Sequence, residues 1–461
     1  MSATNTTTTT ARILLHEAMT LQEAGNLAEA EPRYRAVIAL GYRAVEVLPV
    51  LAGIVAKRGA VDEAIDLWSA LLAIIIDDPA ALHEKALLLG KLGRFDAAIE
   101  CLEQACRTDP DNAVAANNLG VMLSNAGRKR EARAEFQRAL TLSPDNIAVR
   151  HQLRRLNAEQ VPFWHVPMMN DARRNDAFEA AIKAVVANAG PHARVLDIGT
   201  GSGLLSMMAA RAGAKSVVAC EMVPVIAEMA QRIVTENGYA DRITIFDRLS
   251  SELSVGVELD ARADILVSEI LSSDLLTEHV LDTFEDARAR LLTADAAIIP
   301  RAASAIGCLV ESDVLANYVF VDQVSGFDLS SFGELATQKL PIHGTMTNWR
   351  RLSADVELVR IDLAAAHTPS DLQLLRLPVL ADGTATGIVQ WMHVDLAEGI
   401  SFDNHPDGYS DGGWLQVLHN FPAPIQVRAG DTLNLAVGHD RVTLIIQPLG
   451  IAASAVLHAA A

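Results

Sequence analysis

Gly25, Gly59, Gly93 and Gly127 recur every 34 residues, and Ala30, Ala64, Ala98 and Ala132 follow them, each five positions later. A fixed period of this length commits the first third of the chain to a stack of like units, none of which can bury its apolar face alone. Glycine at the same point of every unit supplies a turn between two helices, because its backbone reaches conformations closed to other residues. The small alanine lets the second helix approach the first. Asp109-Pro110 and Ser143-Pro144 also stand 34 apart and close units, since proline cannot continue a helix. Pro79 departs from that spacing and predicts an irregular junction between the second and third units. Alanine and leucine at helical spacing in residues 11–150 are core, and no residue there asks for chemistry. Four stacked units leave a concave surface that suits a protein or peptide partner.

This period resembles the tetratricopeptide repeat, so an all-α solenoid that recruits a partner or substrate is expected over residues 11–150. Ahead of it, the threonine-rich residues 1–10 read as a disordered polar tail. That tail has no basic stretch followed by an apolar one, so no secretory signal is expected. The densest apolar run, Leu71 to Ile76, is cut at once by Asp77 and Asp78, which argues against a membrane span. Four cysteines without Cys-x-x-Cys spacing point to a reducing cytoplasm and to no structural metal. A formal charge of −19 opposes a nucleic-acid partner, which needs a basic face, and suits attraction of a basic substrate.

In the middle third, residues 151–300, a short apolar strand A193-R-V-L-D-I-G ends in glycines and runs into a helical segment, L204-L-S-M-M-A-A-R. A second strand, S216-V-V-A-C-E221, ends in an acid. Strand, glycine turn, helix, strand and terminal acid form the first half of a doubly wound parallel sheet. Gly199, Gly201 and Gly203 would bring backbone close to a ligand where a β-carbon would collide, and Glu221 would accept from two ribose hydroxyls. Glycines and one acid are shared with nicotinamide and flavin enzymes. The D-x-G-x-G-x-G string from Asp197, however, resembles motif I of class I S-adenosylmethionine-dependent methyltransferases. The resemblance implies S-adenosyl-L-methionine as cofactor, with Asp197 in its site; the other reading of Asp197 is a helix cap.

The next strand, A263-D-I-L-V-S-E269, leads into I-L-S-S-D-L-L-T-E278. A guanidinium is planar, permanently charged and forked, so two carboxylates can grip it and aim one nitrogen at a methyl donor. Glu269 and Glu278 are otherwise ordinary surface acids. Their nine-residue interval resembles the acidic loop of the protein arginine methyltransferases. The segment F163-W-H-V-P-M-M-N-D-A-R-R-N175 resembles that family's cofactor lid, through His165, Met168, Asp171 and Arg174. The resemblance assigns Arg174 to the cofactor carboxylate; the bland reading is a solvated basic helix start. Glu252 falls near the adenine, with Ser251 as its rival for that register.

Beyond Ile299-Pro300, residues 301–461 alternate apolar and polar and predict an antiparallel β-barrel or sandwich. In the resembling family a barrel follows the cofactor domain, with the substrate site between them. There a Thr-His-Trp loop enters the site; this chain has D411-G-G-W-L-Q416, with Trp414 matching the tryptophan and Gly413 replacing the histidine. Trp414 either lines the acceptor slot or is core. The wording is most similar to members seven and nine of the family, and member nine also carries such repeats. Those two have tandem modules, whereas this chain has length for one, so functional pairing comes from a homodimer or is absent. The expected activity is methyl transfer to arginine in a basic protein or peptide, without metal. Two rivals stand: methylation of another acceptor, and a recruitment scaffold with a weak or inactive domain. Glu269→Gln is expected to abolish turnover and leave cofactor affinity nearly unchanged.

Overall fold

The computed structural model describes residues 2–408 and 412–452, and the chain divides after Gln160 into two compact units. The first is all-helical. Its paired helices are α1 (Ser2–Glu23) with α2 (Leu27–Ala39), α3 (Ala44–Lys57) with α4 (Val61–Ile74), α5 (Pro79–Lys91) with α6 (Phe95–Thr108), and α7 (Ala113–Asn125) with α8 (Lys129–Leu142). Each periodic glycine sits in the turn inside a pair with φ between 70° and 90°, a region that costs other residues a β-carbon clash. The four periodic alanines are fully buried. At Gly120 a β-carbon would lie 2.7 Å from the Phe136 ring, so the pair α7–α8 needs the glycine for closeness as well.

Two expectations for this unit are corrected. Residues 2–10 belong to α1 rather than to a disordered tail. Threonine is a modest helix former, but Thr10 bonds its hydroxyl back to the Thr6 carbonyl, and Ala11 and Ala18 are buried. Pro79 is the first residue of α5, where its missing N–H costs nothing, behind the Asp78 cap that accepts from Ala81 N–H; the junction before it is irregular, as expected, with Asp77 in the left-handed region at φ 65°. The array also runs past residue 150, because α9 (Ile147–Ala158) packs on it and buries Val149 and Leu156. Asp78, Asn112 and Asn146 cap α5, α7 and α9, one period apart.

The second unit begins with α10 (His165–Asn170) and α11 (Ala172–Ala189). Alternating elements follow: β1 (Arg194–Ile198), α12 (Leu204–Arg211), β2 (Ser216–Cys220), α13 (Pro224–Glu236), β3 (Ile243–Phe246), β4 (Ala263–Ser268), α14 (Val280–Arg290) and β5 (Leu292–Ile299). The five strands form one parallel sheet in the order β3-β2-β1-β4-β5. Nearly continuous apolar runs in β1 and β4 reflect burial on both faces.

The rest is antiparallel, as the alternation predicts. It comprises β6 (Ala302–Glu311), the short helix α15 (Asp313–Val319), the small hairpin β7 (Gln323–Val324) and β8 (Phe327–Asp328), β9 (Lys339–Pro341), β10 (Arg350–Arg351), β11 (Val356–Asp362) and β12 (Asp371–Pro378). Then come β13 (Gly383–Ala397), β14 (Ile400–Asp403), β15 (Val417–Val427), β16 (Thr432–His439) and β17 (Leu444–Ala452). A seven-stranded sheet runs β10-β6-β13-β15-β9, with β11 on β6 and β14 on β13, and a three-stranded sheet runs β12-β16-β17. Side chains of both sheets, including Ile361, Ile388 and Leu435, share one apolar core with the parallel domain.

Candidate active site

In a sheet of this order the chain reverses between β1 and β4, and the loops leaving their carboxyl ends border a crevice. The turn after β1 holds Gly199, Gly201 and Gly203 at φ of 73°, 55° and 81°. A β-carbon on Gly199 would come within 2.5 Å of Ile270, and one on Gly203 within 3.0 Å of Val234, whereas one on Gly201 would meet nothing within 4 Å. The left-handed backbone therefore explains all three glycines, and crowding explains two of them, against neighbouring side chains.

Asp197 is fully buried below this turn and accepts from the hydroxyls of Thr200 at 2.7 Å and Ser206 at 2.6 Å. Burial pushes its pKa up to about 6 despite those hydrogen bonds, and its second oxygen has no partner. It caps no helix; the cap of α12 is Gly203. Thr200 and Ser206, which hold Asp197, escaped the sequence reading, though a hydroxyl three residues beyond a buried acid is a readable signal. Glu221 ends β2, also buried, and accepts from Gly201 N–H at 3.2 Å and Val223 N–H at 2.9 Å, so it braces the glycine turn.

Glu269 ends β4 with its side chain only 4 % exposed, and it forms an ion pair with Arg174, 5 % exposed, on α11. One carboxylate oxygen takes the Arg174 Nη2 hydrogen bond; the other, Oε1, and Arg174 Nε have no partner. Burial raises the Glu269 pKa to about 7, against the pull of Arg174 and with added push from Glu278 and Asp197. Glu278 lies at the other end of the same loop; the residue is exposed overall, while desolvation of its carboxyl by the surrounding crevice and then Glu221 raise its pKa. The two glutamates, Glu221 and Asp197 thus share one field. Arg174 touches Glu269 directly, so a change at Glu269 also removes the partner of Arg174.

Trp414 is buried, and its ring lies 5.5 Å from the Arg174 guanidinium carbon, a cation over an aromatic face. Its indole N–H donates to Leu271 O at 2.8 Å, inside the acidic loop. That loop is held elsewhere by Lys339 on Asp274 at 2.8 Å and by Ser273 Oγ, which accepts from Leu415 N–H. Asp274 and Lys339 were not singled out in the sequence, since their contact joins loop and strand across 65 positions. Asp411 lies outside the described residues.

The short helix α10 carries His165, whose ring stacks near Trp164 and whose Nδ1 is buried without a partner. Met168 approaches Gly413 so closely that a β-carbon there would lie 2.3 Å from Met168 Cγ. Asp171 caps α11 by accepting from Arg174 N–H at 3.1 Å. Glu252 is exposed in a short 3-10 turn and accepts from Leu249 N–H; Ser251 beside it is exposed as well. Arg174, Glu269, Trp414, Met168 and the Gly413 loop therefore converge, with Asp197, Glu221 and the glycines forming an adjoining cluster. Among the described residues no group of three or more His, Cys, Asp or Glu is arranged to hold a metal ion.

A tetratricopeptide repeat family model matches residues 15–79 and 83–147, and the ribosomal protein L11 methyltransferase (PrmA) model matches residues 179–299. An arginine N(omega)-methyltransferase of Streptomyces achromogenes subsp. streptozoticus is 38 % identical over 294 residues, 64 % of this chain and 80 % of that one. Protein arginine N-methyltransferase 7 of Drosophila erecta is 30 % identical over 319 residues, 60 % of this chain but only 46 % of the fly protein. Among solved structures, the Trypanosoma brucei PRMT1 enzyme-prozyme complex with AdoHcy superposes with TM-score 0.52 at 26 % identity, covering 59 % of this chain and 86 % of that one. The fold alone is shared with Arabidopsis thaliana protein arginine methyltransferase 10, at TM-score 0.50 and 20 % identity over 61 % and 91 % of the two chains. On the strength of the Streptomyces relative, matched over most of its length, the chain belongs to the arginine methyltransferase family.

Proposed function

We propose that this protein transfers a methyl group from S-adenosyl-L-methionine to the guanidinium of arginine in a basic protein or peptide. The observation that carries the reading is the occupancy of Glu269. A buried carboxylate at the end of β4 already holds a guanidinium, that of Arg174, and keeps a second oxygen free for another. Chemistry selective for a flat, forked cation is therefore built into the crevice.

The residues fit the cofactor. The left-handed glycine turn offers backbone N–H groups, Glu221 stands beside it to accept from ribose hydroxyls, and the partnerless Arg174 Nε offers a donor to a carboxylate. His165 and Met168 close that side from the lid, and Glu252 lies toward the base. When bound, the cofactor supplies a sulfonium-borne methyl group. Glu269 and Glu278 orient the acceptor by gripping two edges of its guanidinium, and Trp414 backs the slot. Methylation of a guanidinium nitrogen releases one proton; Glu278, water-exposed with a raised pKa, is placed to take it.

The helical array recruits the protein substrate on its concave face. A homodimer supplies the functional pairing, supported by Tyr318, Phe327, Phe332 and Leu335, exposed apolar side chains that follow β6. A cytoplasmic location agrees with four free cysteines and with the lack, among the described residues, of a helix long and apolar enough to cross a membrane. One observation favours a second acceptor, free arginine: the Streptomyces relative is named for arginine rather than for protein arginine.

The test is label transfer from methyl-labelled cofactor to arginine-rich peptides, lysine-rich peptides and free L-arginine. Label on arginine peptides is expected. Label confined to free arginine selects the second acceptor, and label on lysine or none at all overturns the reading. Calorimetric titration with S-adenosylhomocysteine separates enzyme from scaffold, because a scaffold need not bind it.

A further inference from the structure

Gly413 stands where the resembling family carries histidine, and its geometry shows what the exchange accomplishes. Its φ lies outside the left-handed region, so backbone freedom does not explain a glycine here. Space does. A β-carbon on Gly413 would lie 2.3 Å from Met168 Cγ, 2.7 Å from Met168 Cα and 3.0 Å from Met168 Cβ. The nearest of these could swing aside with the side chain, but the second is backbone of α10. Any side chain at position 413 must therefore lift the lid helix or push the loop away.

Gly408 and Trp414, on either side of position 413 in sequence, both meet the start of α11. Arg173 donates to the Gly408 carbonyl at 2.5 Å, and the Trp414 ring faces Arg174. Met168 and Arg174 are coupled through a short rigid joint: Asp171 N–H donates to Met168 O, and the Asp171 carboxylate caps Arg174 N–H. A displacement of Met168 is thus passed to the guanidinium paired with Glu269. Through the Trp414 indole on Leu271 O, the loop also grips the acidic loop.

We propose that Gly413 is the seat of the lid, a positioning residue whose missing side chain lets α10 settle against the antiparallel domain. That seating sets Arg174 at the depth where it reaches both Glu269 and the cofactor carboxylate. The glycine therefore replaces a histidine with a close backbone contact, and does not mark a lost catalytic group. This inference rests on the cofactor reading above, but its first readout does not.

The experiment compares full-length wild type, Gly413→Ala and Gly413→His by amide hydrogen exchange and by titration with S-adenosylhomocysteine. Expected are faster exchange over residues 165–175, unchanged exchange in the helical array, and affinity lowered about tenfold, the scale of an overpacking penalty. KM for the cofactor should rise more than kcat falls. Wild-type exchange and affinity in Gly413→Ala would overturn the seat, as would a Gly413→His variant that turns over faster with undiminished affinity. If Gly413→Ala loses global stability, the Met168→Ala background decides. There the contact with Met168 Cγ is gone while those with Cα and Cβ stay, so adding Ala at 413 should still cost exchange protection over residues 165–175; no cost there refutes the backbone seat. Failure of wild type to bind S-adenosylhomocysteine counts against the cofactor reading alone, since lid exchange in Gly413→Ala still reports on the seat.

Discussion

Glu269 and Arg174, 95 positions apart in sequence, meet inside the crevice with almost no exposure. Breaking such a pair leaves a charge without compensation, which makes its chemistry sensitive to both proton and substrate. With its pKa raised to about 7 by burial, native Glu269 retains a proton that the unfolded chain releases near the ordinary carboxylate value. The native state then binds more protons across that window, so this group's contribution to stability is complete below it and is lost as pH rises toward about 7. Gripping a guanidinium needs the ionised form. Accordingly kcat/KM for the acceptor should climb through pH 7, measured by initial label transfer, and a flat profile between pH 6 and 8 would contradict it. Glu269→Gln should lower kcat/KM by about a thousandfold, the upper range for one partner of a buried charged pair. Affinity for S-adenosylhomocysteine should hold or tighten, because Arg174 is released; a large loss would mean that Glu269 supports the cofactor directly. Sequence named Glu269 from its type and spacing, and Arg174 through the family resemblance of its segment. It assigned them to different ligands, because the direct contact is set by where α11 crosses the end of β4.

At the level of elements, the parallel strands and the paired helices were legible because each rests on a local rule. Apolar runs closed by glycine or an acid mark the strands, and a 34-residue glycine marks the helical turns. What stayed hidden were contacts made by elements far apart in the chain. Arg441, in the turn between β16 and β17, donates to Glu285 at 3.0 Å and Asp282 at 2.7 Å on α14, and to the Thr368 carbonyl. Burial would raise the Glu285 pKa, but hydrogen bonds from Arg441, Thr368 N–H and His367 overcome it and hold it at about 2. A depressed carboxylate stabilises above its ordinary range, and that contribution fades as pH falls toward about 2. Arg441→Ala should therefore cost about 2 kcal/mol at neutral pH and move the acid unfolding midpoint upward. Thermal melts at pH 7 and about pH 3 check this: the variant's deficit should shrink at the lower pH, and an equal deficit at both would place the loss in packing. The caps Asp78, Asn112 and Asn146 were in plain view at one-period spacing, yet the prolines beside them drew the reading toward helix ends.

Across the whole molecule, the division after Gln160 separates a stack built on nearest-neighbour contacts from a unit whose core spans two sheet systems. The two should respond differently to damage. Contacts in the stack are local, so a fault there stays near its origin, while a fault in the shared core of the second unit reaches both the glycine turn and the acidic loop. Arg94 follows Gly93 as Arg128 follows Gly127, and each arginine precedes the second helix of its pair. Excising residues 94–127 joins Gly93 to Arg128 and recreates the native glycine-arginine step. That shortened chain should fold, with helical circular dichroism reduced by one pair of helices and methyl transfer to free arginine or a short peptide retained. Excising 30 residues from the same place should instead collapse the helical signal. The recurrence thus works as a ruler laid along the gene: insertions or losses counted in whole lengths preserve phase, and the stack can be lengthened or cut without breaking the pairing of its helices.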